Sequence, residues 1–154
     1  NTEWLAPVAF KVLGYSAGGD ILFPTNTWQD INFGSNISYN HGNGYSPATS
    51  EFVAPQKGLY NLKSKLTFLS QTYGVRQRLK LRRNGVVSTI EQSVNNPLDE
   101  ALSHYTILLD TDYMLEAGDA VWVEAFAVDV NSSQIIVSDA TDYTWFSGRL
   151  ITPF

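Results

Sequence analysis

The apolar and polar positions of this chain follow a strand rhythm. Residues 60–68 alternate most cleanly, with Tyr60, Leu62, Ser64, Leu66 and Phe68 on one face and Asn61, Lys63, Lys65 and Thr67 on the other, the period of two expected of a strand lying over a core. Just before it, Pro55 donates no ladder hydrogen bond and Gly58 has access to positive φ. Residues 54–58 are therefore predicted as a turn, following a short strand that ends near Val53. A second alternation covers 75–82, setting Val75, Gln77, Leu79 and Leu81 against Arg76, Arg78, Lys80 and Arg82. Asn84-Gly85 then signals a two-residue hairpin into a return strand over 86–90.

Further strands are predicted over 8–13, 21–23, 105–109, 120–128, 135–137 and 144–151, with short pieces around 28–33 and 37–39 in a stretch rich in Asn, Gly, Ser and aromatics. Residues 93–100, broken by Pro97, read as a polar connection, and 1–7 as an N-terminal arm. No segment sustains a 3.6-residue period, so many short strands at close spacing imply an all-β sandwich. The strand over 120–128 is apolar on both sides. Val121, Val123, Ala125 and Ala127 line one face, and Trp122, Phe126 and Val128 line the other with only Glu124 between them. One face belongs in the sandwich; the second needs other cover, which makes Trp122 and Phe126 candidates for a subunit interface.

At 154 residues and 44% apolar content, the chain suits a single domain over its whole length. It has no cysteine, hence no disulfide and no thiolate chemistry. A net charge of -5 argues against general nucleic-acid binding, which uses a basic surface. No apolar run reaches the roughly 18 residues of a membrane helix, and the first residue, Asn1, suggests a mature or excised piece of a longer protein.

Candidate chemistry is sparse. His41 and His104 sit in no metal-ligand spacing, and Ser103 beside His104 does not by itself make a triad. The acids offer one calcium candidate, Asp99 and Glu100, in a loop after Asn95 and Asn96 where carboxylate and carbonyl oxygens would suit a hard cation. A solvated acidic loop is the plain alternative; Asp110 and Asp112 make a weaker pair. Two ligand patches compete. The aromatics Trp28, Phe33 and Tyr39 would suit a sugar, whereas the stripe of Arg76, Arg78, Lys80 and Arg82 would suit an anionic partner or would simply be a charged outer face. Asn36 and Asn131 open glycosylation sequons.

Five motifs in order carry a family resemblance: Asn40, Gly42, Tyr45 and Phe52 within NHGNGYSPATSEF; EFVAPQKGLY at 51–60; a Leu-x-x-Asn-Gly at 81–85; AGDAVWV at 117–123; and FSGRLI at 146–151, with VAF at 8–10 ahead of them. Together they resemble the globular head of complement component 1q, a relative of the tumour necrosis factor jelly rolls. The chain departs from that pattern at Ser46 and Ser50, where the family favours an acidic or amide residue and a glycine. The resemblance implies a ten-stranded jelly-roll sandwich, a homotrimer with an apolar interface, and calcium at the Asp99 and Glu100 loop. It also implies a non-catalytic recognition or adhesion head that binds a glycan or protein ligand at an extracellular, cell or virion surface. A monomeric carbohydrate-binding jelly roll and a glycan-cleaving domain are the rival readings.

Overall fold

The computed structural model describes residues 7–14, 21–24, 26–69, 74–95, 104–128, 134–136 and 143–154. Its strands are β1 (Ala9–Leu13), β2 (Ile21–Phe23), β3 (Gln29–Asp30), β4 (Ile37–His41), β5 (Tyr45–Ser46), β6 (Glu51–Val53), β7 (Gly58–Leu69), β8 (Gly74–Arg83), β9 (Val86–Asn95), β10 (His104–Leu115), β11 (Ala120–Val128), β12 (Gln134–Ile136) and β13 (Trp145–Pro153). They pair antiparallel into two sheets. The inner sheet, as we call it, runs β2-β12-β7-β13-β1-β4 with β10 on the other edge of β7; the outer sheet runs β5-β6-β11-β8-β9 with β3 also on β11. Together they make the predicted jelly-roll sandwich, with thirteen strands among the described residues where ten were expected; β2, β3, β5, β6 and β12 are only two or three residues long.

The alternation places the core as expected. Tyr60, Leu62, Leu66 and Phe68 of β7 face Val75, Leu79 and Leu81 of β8 and Val121, Val123 and Ala125 of β11, all within 3% of full burial. Phe10 is the aromatic hub: it stacks on Phe52 at 4.6 Å and Tyr45 at 5.5 Å and meets Phe146 edge-on at 4.9 Å. Gln77, also predicted to point inward, is buried, and its amide donates to the carbonyls of Ile107 at 3.0 Å and Ser64 at 3.3 Å. That ties β8 to two strands of the opposite sheet.

Several local expectations change. Gly58 does not take positive φ; it opens β7, where an added Cβ would lie 2.7 Å from the Thr152 carbonyl, so close strand approach is what excludes a side chain. Asn84 and Gly85 do adopt φ of 52° and 78°, the left-handed pair of a tight hairpin. Ser50 holds φ of 56° in place of a glycine, a strain of about 1–2 kcal/mol, and its hydroxyl accepts from the Gly34 amide at 3.3 Å as partial compensation. β9 continues to Asn95 and β10 to Leu115. On β9, Ser93 had read as loop but sits across from inward Gln77, and on β10 Asp110 and Asp112 are outward positions of a long strand.

Candidate functional site

The outward faces of the two sheets carry most of the side chains marked by the sequence. On the outer sheet, β11 and β8 pair with Trp122 opposite Lys80, Glu124 opposite Arg78 and Phe126 opposite Arg76. β3 sets Asp30 opposite Glu124 and brings the Trp28 ring within 5.4 Å of Phe126. Of the aromatic patch that the sequence set in competition with the cationic stripe, only Trp28 joins that stripe on one surface. Its cations cap its rings: Arg78 lies 3.8 Å from the centroid of Trp28, Arg82 5.3 Å from Trp122 and Arg76 5.7 Å from Phe126.

Most of its charge is already spent within the chain. Arg78 bonds Glu124 at 2.5 Å, Arg82 grips Glu51 through two bonds of 2.6 and 3.2 Å, and Lys80 donates to the Thr89 hydroxyl at 3.0 Å. Among the described residues only Arg76 and Lys80 lack a carboxylate partner on this stripe. Partial burial, and then the Glu124 carboxylate beside it, hold Asp30 above the usual carboxylate range. Nearby, Asp119 is more than a turn residue. It is buried, receives Arg83 at 2.5 to 3.1 Å, and accepts from the Glu116 amide at 2.8 Å, so it locks the β10-β11 turn to the end of β8.

The inner sheet presents the opposite condition. Its register lays out four outward rows across β10, β7, β13 and β1. The first is Leu108, Lys65, Trp145 and Leu13, and the second is Asp110, Lys63, Ser147 and Lys11, continuing to Tyr39 on β4. The third is Asp112, Asn61, Arg149 and Ala9, continuing to His41, and the fourth holds Met114, Leu59 and Thr152. Rows that are apolar apart from Lys65 and Thr152 therefore bracket a charged belt. Within the belt the acids stand on β10 and the bases on β7, β13 and β1. Asn61 bonds both Asp110 and Asp112 at 2.8 Å, and Lys63 reaches Asp110 at 3.8 Å. Lys11 lies 5.0 Å from the Trp145 centroid. Neither Arg149 nor Asp112 forms an ion pair among the described residues. Tyr39, Asn61, Lys63, Ser147, Gly148 and Arg149 line an open hollow of about 260 Å³ in the middle of the belt.

Measured against these surfaces, the sequence-marked residues divide. Phe33 is corrected: it is 1% exposed and packs on Phe146 at 5.5 Å, so no face of it is left for a ligand. Trp28 is half-buried beneath Arg78, which removes the free ring face that a sugar would stack on. Tyr39 is exposed, stacked on His41, and belongs to the inner-face hollow, far from the company of Trp28. Trp122 and Phe126 are half-buried on the outer sheet, partly covered by arginines of their own chain. Asp99, Glu100 and Ser103 lie outside the described residues, and among those described no group of three His, Asp or Glu side chains is placed to hold a metal. Sequence reasoning missed Asn61 and Arg149 as surface chemistry. The signal was present in their outward phase, one residue away from buried Tyr60 and Leu62 and from Gly148.

The C1q domain family matches residues 16–151. Among solved structures, the Eiger tumour necrosis factor from S. frugiperda superimposes with a TM-score of 0.72 at 10% identity, over 97% of this chain and 96% of that one. Murine APRIL at pH 8.0 gives 0.71 at 12% identity, over 96% and 100%. The globular domain of zebrafish complement 1qA gives 0.67 at 14% identity, over 96% and 99%. No curated protein matches the chain.

Proposed function

The chain belongs to the C1q domain family, and from that premise we propose that it is a non-catalytic recognition head that works as a homotrimer. The observation that carries this reading is the inner-sheet face. Leu108 is 56% exposed and Met114 38% exposed there, beside a belt of charges without full intrachain partners, a surface that a stable isolated chain has no reason to keep bare. The outer face, whose rings and charges are largely satisfied internally, is the less fitting assembly surface despite Trp122 and Phe126. We place ligand contact on the outer sheet and its connecting loops, where Arg76 and Lys80 remain available to an anionic group on a glycan or protein. Secretion to an extracellular, cell or virion surface fits such a head.

Sedimentation equilibrium at micromolar concentration tests the assembly; a trimer is expected, and a monomer overturns the reading. A glycan and protein array probed with the trimer then identifies the ligand. Binding should weaken with salt, and a double Arg76→Glu, Lys80→Glu change should abolish it. Calcium at Asp99 and Glu100 is part of the same proposal. It predicts a melting temperature that rises between chelator and millimolar calcium by mass action on the folded state.

A further inference from the structure

The geometry points to a specific seat for the neighbouring copy: the Asp112 carboxylate of one chain enters the Arg149 hollow of the next. This rests on the trimer reading and names the contact that sets its register. A three-fold ring is heterologous, so every copy must offer one patch and receive on a different one. The inner face supplies both. Its acids sit on β10 and its hollow lies on β7 and β13, with Asp112 and Arg149 in one row but separated by Asn61. Two strand spacings, about 10 Å, keep them from pairing within the chain.

The remaining partners select these two residues over their neighbours. Asp110 already has Asn61 and Lys63, whereas Asp112 has only the Asn61 amide on one oxygen, leaving the other free among the described residues. Arg149 is exposed, and no described carboxylate pairs with it. A guanidinium presents a planar fork that a carboxylate fills with two bonds, and Lys63, Ser147 and Tyr39 around the hollow add further polar groups. The apolar rows on either side, led by Leu108 and Met114, would exclude water from the pair once a second copy covers them. The occupant is therefore a second copy of this chain, chosen by charge complementarity within one face.

The test is a charge swap followed by sedimentation. Arg149→Asp and Asp112→Arg should each weaken association at least about a hundredfold, since each confronts like charges across the junction. The double variant, with both changes, should recover to within about tenfold of the unaltered chain. Single variants that assemble as tightly as the unaltered chain, or a double variant no better than the singles, would overturn the inference while leaving the trimer standing. An unaltered chain that is monomeric removes the trimer itself. Should a reversal fail to fold, Arg149→Gln and Asp112→Asn decide through a double-mutant cycle: a double neutral variant no weaker than either single supports the pair, and additive losses refute it. Sulfate provides the remaining arm. If it loosens the unaltered assembly more than the Arg149→Gln assembly, it competes for the seat; if it binds at Arg149 without disturbing the trimer, the hollow holds no neighbour's carboxylate and the inference fails.

Discussion

The two sheet faces use similar residues to opposite ends. Both carry arginine, lysine, aspartate or glutamate and tryptophan at alternating outward positions. On the outer face β11 places glutamate directly across from arginine, and β3 and β6 bring Trp28 and Glu51 beside Arg78 and Arg82, so rings are capped and charges closed within the chain. On the inner face Lys63 reaches Asp110 at 3.8 Å, but the register puts β7 between Asp112 and Arg149, and neither of these forms an ion pair among the described residues. A face's residue composition therefore does not reveal whether it is finished. Pairing across the ladder does.

The largest test of that contrast is Leu108→Asp on the inner face. A charge at this exposed apolar position, once a second copy covers it, should cost about 3 kcal/mol or more per junction, converting a trimer to monomers in sedimentation. The isolated fold should change by no more than about 0.5 kcal/mol, because the position is exposed in the single chain. A variant that remains trimeric would dissolve the distinction between the faces.

Arg78→Ala probes the other side. It removes a ring contact and leaves Glu124 beside Asp30 without its cation, which should cost about 1–2 kcal/mol of folding stability. At fixed protein concentration this lowers the melting temperature by about 5 °C, with trimer association unaltered. Loss of assembly without loss of stability would show that the outer face, and not the inner one, is the junction.

The smallest effect concerns Asp30, whose folded-state proton is held above its ordinary range by burial and by Glu124. The folded chain then binds that proton more tightly than the unfolded chain does, so this group's contribution to stability grows as pH falls through the raised value toward 3.8 and is absent above it. Asp30→Asn should flatten that slope and stabilise the chain at neutral pH by under about 1 kcal/mol. Melting curves at several pH values for both chains check it, and an unchanged slope would mean that neither burial nor Glu124 raises Asp30.

Much of the sandwich was legible in the chain because burial follows a period of two. Tyr60 to Phe68, Val75 to Leu81 and Val121 to Ala127 each announced which face was core, and Asn84-Gly85 announced its hairpin. The ordered motifs also led to the family whose match now covers residues 16–151. Phe33 was misread because an aromatic in a polar loop looks the same whether it faces solvent or turns inward onto Phe146. The far ends of β9 and β10 were misread because polar residues on a long strand share their composition with loops.

What the sequence determined by itself was local: which residues alternate, where the chain turns, and which side chains each strand must bury. Who stands opposite whom was decided only in the folded chain, since ladder register joins residues as far apart as Asn61 and Asp112 or Arg78 and Glu124. That register made the Arg76 to Arg82 stripe a largely closed surface, and it left Asp112 and Arg149 on either side of β7 without an ion-pair partner among the described residues. The physical reason is that a strand's period depends on backbone geometry alone, whereas the neutralisation of a charge depends on a neighbour a few ångströms away that the chain reaches only by folding.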